Sequence, residues 1–435
     1  MLAALTAAGI VAAAHLWQTT VPGDLRLPHL EAGREFPARE LHRAESFEAF
    51  VRVSFLLSQA ALVAVLAVYA RRGTVFMRES AAGPIGTGFL LGMLGLALVW
   101  LAQLPFGVVD LWWARRHDVV HIGYVEWLVD GFLGLGGEFL FLCLALLIVM
   151  GLARLVRQAW WIPTAAAFVA LIVLFTFTGP YLTPDLHAPK AKRLRAEAAA
   201  VAREEGVAGV PLRIEDVHDW TDQPNAYAFG LGPSRRVVLW DTIVRFPPHE
   251  VRVVVAHEYG HLAHHHIAKG IGWFGLFVLP AALLVAIATR RRGGLGEPAA
   301  VPLALFVVVI LQLATGPLQA AATRRYEAEA DWSALRTTDD PAAMRALFRR
   351  FTARALADPD PPGWFHVLFD DHPTALQRIA MADAFARGRL HAGPGSPAQS
   401  GAGNVNAYAG VADPELPRRY GVLTAGRPAS WKSLP

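Results

Sequence analysis

Val253-Val254-Val255-Ala256-His257-Glu258-Tyr259-Gly260-His261 is the segment on which the reading of this chain turns. Successive residues of an α-helix rotate by about 100°, so histidines four apart stand one above the other and can offer both imidazoles to one metal ion. Glu258 then lies beside that metal. In catalytic zinc sites two histidines and a carboxylate leave one position open for water, and an adjacent glutamate can take a proton from that water as it attacks a peptide carbonyl. The pattern implies zinc peptidase chemistry.

HExxH is short enough to arise by chance, so its flanks matter. Pro247 and Pro248 suit a helix start, Glu250 complements the positive end of the helix dipole, and Gly270 suits a stop. Val251, Val254, Val255 and Leu262 supply apolar surface. An amphipathic helix of about 20 residues is predicted.

Of the 435 residues, 54% are hydrophobic and 17% charged, and mean hydropathy is +0.35, the balance of a membrane protein. Seven apolar runs are long enough to cross a bilayer, near residues 1–18, 50–70, 85–106, 127–150, 161–180, 271–289 and 299–320. The first lacks a basic leader and an obvious cleavage site, which favours a retained helix over a secretory signal. The expected organisation is five N-terminal membrane helices (1–180), a soluble stretch with the HExxH helix (181–270), a membrane hairpin (271–320), a second catalytic stretch (321–389) and a Gly/Pro/Ala-rich disordered tail (390–435).

The fold class expected is mainly α, a polytopic membrane protein with a gluzincin-type peptidase domain and a small β-sheet. Strands are predicted at 212–217, 226–229 and 237–240, and helices at 190–205, 318–336, 341–357 and 373–387. Cys143 is the single cysteine, which excludes a disulfide framework and a cysteine zinc site. The formal charge of +4 shows no basic patch for nucleic acid. Arginines flank the runs on both sides almost equally; adding Lys190, Lys192, Arg193, Arg195, Lys269, Arg324 and Arg325 tips the positive-inside rule toward a cytoplasmic active site in the cell membrane.

A third ligand must come from elsewhere, and Glu327-Ala328-Glu329-Ala330-Asp331 follows the last apolar run. Glu327 and Asp331 share a helix face, so Glu327 can bind the metal while Asp331 accepts a hydrogen bond from a ligating histidine. Glu329 points about 200° away from Glu327. Read alone, the segment is equally a solvated charged helix leaving a membrane. His264, His265 and His266 extend the metal helix and read as its polar end, or as further ligands. Asp110, Asp130 and Glu138 lie in or beside apolar runs, where an ionisable group faces a cavity or a partner.

In order along the chain, Asn225-Ala226-Tyr227-Ala228-Phe229-Gly230, the HExxH helix, Glu327 with Asp331, and His372-Pro373 with Arg378-Ile379 resemble the motifs of one family. This is the integral-membrane zinc metallopeptidase family of the type I CAAX prenyl proteases and the HtpX heat-shock proteases, and the seven runs resemble the CAAX protease branch. The resemblance implies one zinc per chain on His257, His261 and Glu327, with Glu258 as general base and Asp331 behind a ligand. It further implies that Asn225 and Ala226 hold an extended substrate at a sheet edge, and that His372 and Arg378 contact substrate or the developing oxyanion. Asn225 can instead shape a turn after Pro224, and Arg378 can pair with Asp370 or Asp371.

The function expected is a membrane endopeptidase that cleaves membrane-associated or membrane-proximal proteins or peptides. The bilayer and the substrate are its expected partners, and the sequence defines no oligomeric state. Prenylated substrates are not carried over, because the Arg-rich, Lys-poor composition suggests a bacterial source. The rival expectations are an HtpX-type quality-control protease and a non-catalytic zinc-binding membrane sensor.

Overall fold

The computed structural model describes residues 2–77 and 83–392, with side chains described over 7–77, 83–132 and 141–388. The predicted tail therefore lies almost wholly outside the described residues, as does the Glu138 side chain. Helix α1 is Leu2–Leu16, α2 is Ala38–Arg72, α3 Gly83–Arg116, α4 Tyr124–Val156 and α5 Trp161–Leu182. After α6 (Lys192–Glu204) come strands β1 (Leu212–Glu215), β2 (Ala226–Phe229) and β3 (Arg236–Trp240). Helices α7 (Pro248–Ala263), α8 (His266–Thr289), α9 (Val301–Thr338), α10 (Pro341–Ala355), α11 (Gly363–Phe369) and α12 (Ala375–Ala392) follow.

Among the described residues, six segments are long and apolar enough to cross a membrane: Ala38–Met77, Gly83–Arg116, Phe141–Ala159, Trp161–Leu182, His266–Arg292 and Pro298–Thr338. The first predicted run forms α1, whose 15 residues span only about 22 Å against the roughly 30 Å of a hydrocarbon core. Large apolar side chains such as Leu57, Leu101, Leu174 and Ile287 stand exposed on these helices. A helix satisfies its own backbone, so such a surface suits lipid and not water.

The three strands form one sheet in the order β1-β3-β2, with β1 parallel and β2 antiparallel to β3. Among the described residues no further strand pairs with β2, so its outer edge is an open sheet edge. Beneath the sheet, Leu239, Val255, Tyr259, Ala334, Met344 and Ile379 belong to one buried core that joins β3, α7, α9, α10 and α12. The core fixes α7 and α9 against each other.

Three expectations are corrected here. Residues 251 and 253–260 are all buried, so α7 is a central helix enclosed on every side, without the solvated face of an amphipathic one. It also stops at Ala263, because His265 takes a left-handed conformation (φ 58°, ψ 32°) and α8 starts afresh at His266 with Gly270 in its interior. The predicted start of α12 at Pro373 also shifts. Thr374 Oγ1 accepts from Gln377 N (3.1 Å) while Gln377 Oε1 accepts from Thr374 N (2.9 Å), a reciprocal cap that starts the helix at Ala375.

A candidate metal centre between two helices

The centre is built where α7 crosses α9. A Cβ added to Gly260 would lie 3.2 Å from Ser333 Cβ and 3.5 Å from Ala330 Cα, so glycine permits the close approach of the two backbones. That approach brings one donor atom each from His257, His261 and Glu327 within 4.8 Å of one another. His257 Nε2 and His261 Nε2 are 3.0 Å apart, and Glu327 lies 3.2 Å from the first and 3.3 Å from the second.

The surrounding bonds determine what those atoms carry. Asp331 Oδ1 sits 2.9 Å from His257 Nδ1 and accepts its hydrogen, so Nε2, turned toward Glu327, is the nitrogen that can give a lone pair to a metal once its own proton leaves. Arg378 holds Asp331 at both oxygens, from Nε (2.7 Å) and Nη2 (2.6 Å). Its guanidinium thus stands behind His257, and among the described residues its ion pair is with Asp331 and not with Asp370 or Asp371. Glu327 Oε2 is buried and accepts no well-directed hydrogen bond, although His257 Nε2 and His372 Nε2 each stand 3.2 Å away. An orphaned carboxylate oxygen among converging imidazole nitrogens is a donor set that fits a divalent cation.

The electrostatics agree with that fit. Burial works against a charged His257, yet the carboxylates of Asp331 and Glu327 hold its pKa up to about 10 in the metal-free site. Loss of water, with Glu327 the only opposing influence among its main neighbours, keeps His261 well below the usual imidazole value and so neutral. Glu258 is 7% exposed. Burial pushes its carboxyl up to about 7, against the pull of His257, His372 and Arg378. A carboxylate poised near neutrality is suited to accept and return a proton. His372 is half-buried beside Glu327, and its Nδ1 bonds Asp371. Desolvation opposes its charge, but Glu327 and Asp371 hold it up to about 9.

Asn225 and Ala226 lie at the start of β2, which packs against α7. Asn225 Oδ1 accepts from Ala226 N (2.9 Å) and its carbonyl accepts from Trp240 N (3.0 Å), so it ties the strand entrance to β3. Sequence reasoning reads His266 as helix end or further ligand and turns Glu329 away from the site, and assigns neither the place it takes behind His261. His266 Nδ1 lies 2.9 Å from His261 Nδ1, and Glu329 is buried behind it with Oε2 2.9 Å from His266 Nε2. The signal that could have found them is a further histidine five residues past the second ligand, followed along α9 by a carboxylate two residues past the third ligand.

Residues 188–386 match peptidase family M48. The chain is similar to metalloprotease YhfN of Bacillus subtilis, 24% identical over 314 residues that cover 69% of this chain and 73% of that one. It is also similar to a protease HtpX homologue of Methylibium petroleiphilum, 26% identical over 197 residues covering 39% and 67% respectively. The fold is that of Ste24p from S. mikatae, with a TM-score of 0.69 over 87% of this chain and 97% of that one at 17% identity. With its membrane helices, its HExxH helix and the α9 carboxylate arranged as described, the chain carries a region that matches peptidase family M48 over residues 188–386 and is a membrane metallopeptidase.

Proposed function

We propose that the metal is one zinc ion per chain, held by His257, His261 and Glu327, and that the enzyme cleaves peptide bonds of membrane-associated or membrane-proximal substrates on the cytoplasmic side. The observation that carries this reading is the donor cluster itself, within 4.8 Å, with Glu327 on a helix that includes an apolar span and the two histidines on the short helix just before another. Nitrogen and carboxylate ligands with no cysteine suit zinc in a hydrolase. Zinc, when bound, supplies Lewis-acid chemistry that acidifies water and polarises a carbonyl.

The chain's own groups do the rest. Glu258 accepts the proton of the attacking water and returns it to the leaving amine, which its raised pKa favours. His372, half-buried with Nε2 3.2 Å from Glu327, is placed to donate a hydrogen bond where negative charge develops. Arg378 acts through Asp331, keeping His257 in the tautomer that binds metal, and adds positive charge beside Glu258. The outer edge of β2, with Asn225 and Ala226 at its entrance, receives the substrate backbone as an added strand. Similarity to proteases named HtpX homologues favours a second reading of the substrate, damaged membrane protein in place of one processed target.

In lipid, wild-type protein is expected to cleave a fluorogenic peptide and Glu258→Gln to retain zinc but lose cleavage by at least about 10²-fold, the typical worth of general base catalysis. Zinc binding without any cleavage by wild type contradicts the peptidase reading and supports the sensor. The Glu258→Gln protein also serves as a trap whose bound proteins identify the substrate class.

A further inference from the structure

His266 and Glu329 form a buried chain that ends on a metal ligand. Five residues along a continuous helix would put His266 roughly 140° away from His261. The left-handed turn at His265 removes that restriction, and His266 swings back until its Nδ1 is 2.9 Å from His261 Nδ1. A non-glycine residue at φ 58° is uncommon and here coincides with the site. Beyond His266, Glu329 Oε2 is 2.9 Å from Nε2, and the carboxylate also receives Thr20 N and Lys269 Nζ (3.3 Å). Glu329 is 1% exposed and His266 6%.

The proton positions follow from this chain. A carboxylate only accepts, so His266 Nε2 carries the hydrogen and neutral His266 offers a lone pair at Nδ1. His261 Nδ1 must then donate to it. That leaves His261 Nε2 as a lone pair facing His257 Nε2 and Glu327 Oε1, the form a ligand needs.

From this we propose that His266, set by Glu329, is a positioning residue that fixes the tautomer and ring orientation of His261, as Asp331 and Arg378 do for His257. The inference rests on the metal reading above. It also links the centre to the N-terminal segment. Tyr326 Oη donates to Leu16 O (2.6 Å), Arg325 Nε to Trp17 O (3.0 Å) and Lys269 Nζ to Gln18 O (3.3 Å), so residues 16–20 clamp the helix turn that carries Glu329.

The test is zinc affinity of the full-length protein by chelator competition, with the visible spectrum of the cobalt-substituted form as a second readout. His266→Phe keeps the ring stacked on Tyr326, whose planes now lie 13° apart, but offers no acceptor. It is expected to lower zinc affinity by roughly 10- to 100-fold and to shift the cobalt bands. His266→Gln, with an amide oxygen to accept, is expected to recover most of that loss. Glu329→Gln is isosteric and guards against misfolding; its amide would donate to His266, reverse the chain and lower affinity too. Wild-type affinity and an unchanged cobalt spectrum in both His266→Phe and Glu329→Gln overturn the assignment. A wild-type protein that holds no zinc overturns the metal reading itself, and this inference with it.

Discussion

His257 and Asp331 show how a single side chain in this protein acquires its role from what stands behind it. Asp331 is 1% exposed and His257 9%, and the guanidinium of Arg378 closes the bidentate pair. Arg378→Met leaves a buried carboxylate uncompensated, so we expect a loss of about 3–5 kcal/mol of stability, read as a lower thermal midpoint, together with weaker zinc binding. His257 also sets a pH dependence. Its pKa is held up to about 10 without metal, and the ligand form is deprotonated, so zinc binding displaces a proton. The sign follows directly: zinc affinity rises with pH, by about tenfold per unit below that value for one displaced proton. Competition titrations that show no dependence between about pH 6 and 8 contradict this. HExxH and the ExxxD spacing were legible as residue patterns because helical periodicity is local. His266 and Glu329 were not, since their meeting depends on one left-handed residue between two helices.

Helix α9 performs two jobs along one axis, crossing as Pro298–Thr338 and delivering Glu327 and Asp331 at its far end. Sequence reading treats the apolar run and the acidic motif as separate features, and the structure makes them one continuous 38-residue helix. The ligand spacing then depends on close packing against α7, which Gly260 permits. Gly260→Val is expected to force the two helices apart and reduce zinc stoichiometry, whereas Ser333→Ala, which frees space opposite and gives up the hydrogen bond to Glu205 (2.7 Å), is expected to leave zinc bound. Equal zinc content in the valine variant and wild type argues against that contact as the gauge of ligand spacing. At the end of α9, Asp340 Oδ1 accepts from Ala343 N (2.9 Å) and caps α10. Asp340→Ala is expected to cost about 1 kcal/mol, visible as a lower thermal midpoint with zinc binding intact. The strands were readable from β-branched and aromatic runs; the sheet order β1-β3-β2 was not, because pairing between distant segments leaves no periodic trace.

Across the full chain, a membrane hairpin separates the two ligand-bearing segments in sequence and rejoins them in space. Helix α8 leaves from the end of the HExxH turn, and α9 returns with the third ligand, so the centre stands at the membrane boundary. This placement suits substrates already held at the bilayer. We expect a cysteine introduced within residues 341–355 to be protected from impermeant reagents in intact cells and labelled after lysis; labelling before lysis contradicts the cytoplasmic placement. The apolar runs were legible from composition alone, since about 20 consecutive apolar residues have few other uses. The short α1 departs from the others in length, and its end is tied instead to Tyr326 and Arg325.

The claim that one metal centre is assembled from both sides of that hairpin is tested most directly by the zinc content of Glu327→Ala purified in lipid beside wild type. Wild type is predicted to hold one zinc per chain and the variant to have lost it while its membrane helices stay folded. A folded Glu327→Ala protein that still holds one equivalent of zinc would contradict the account.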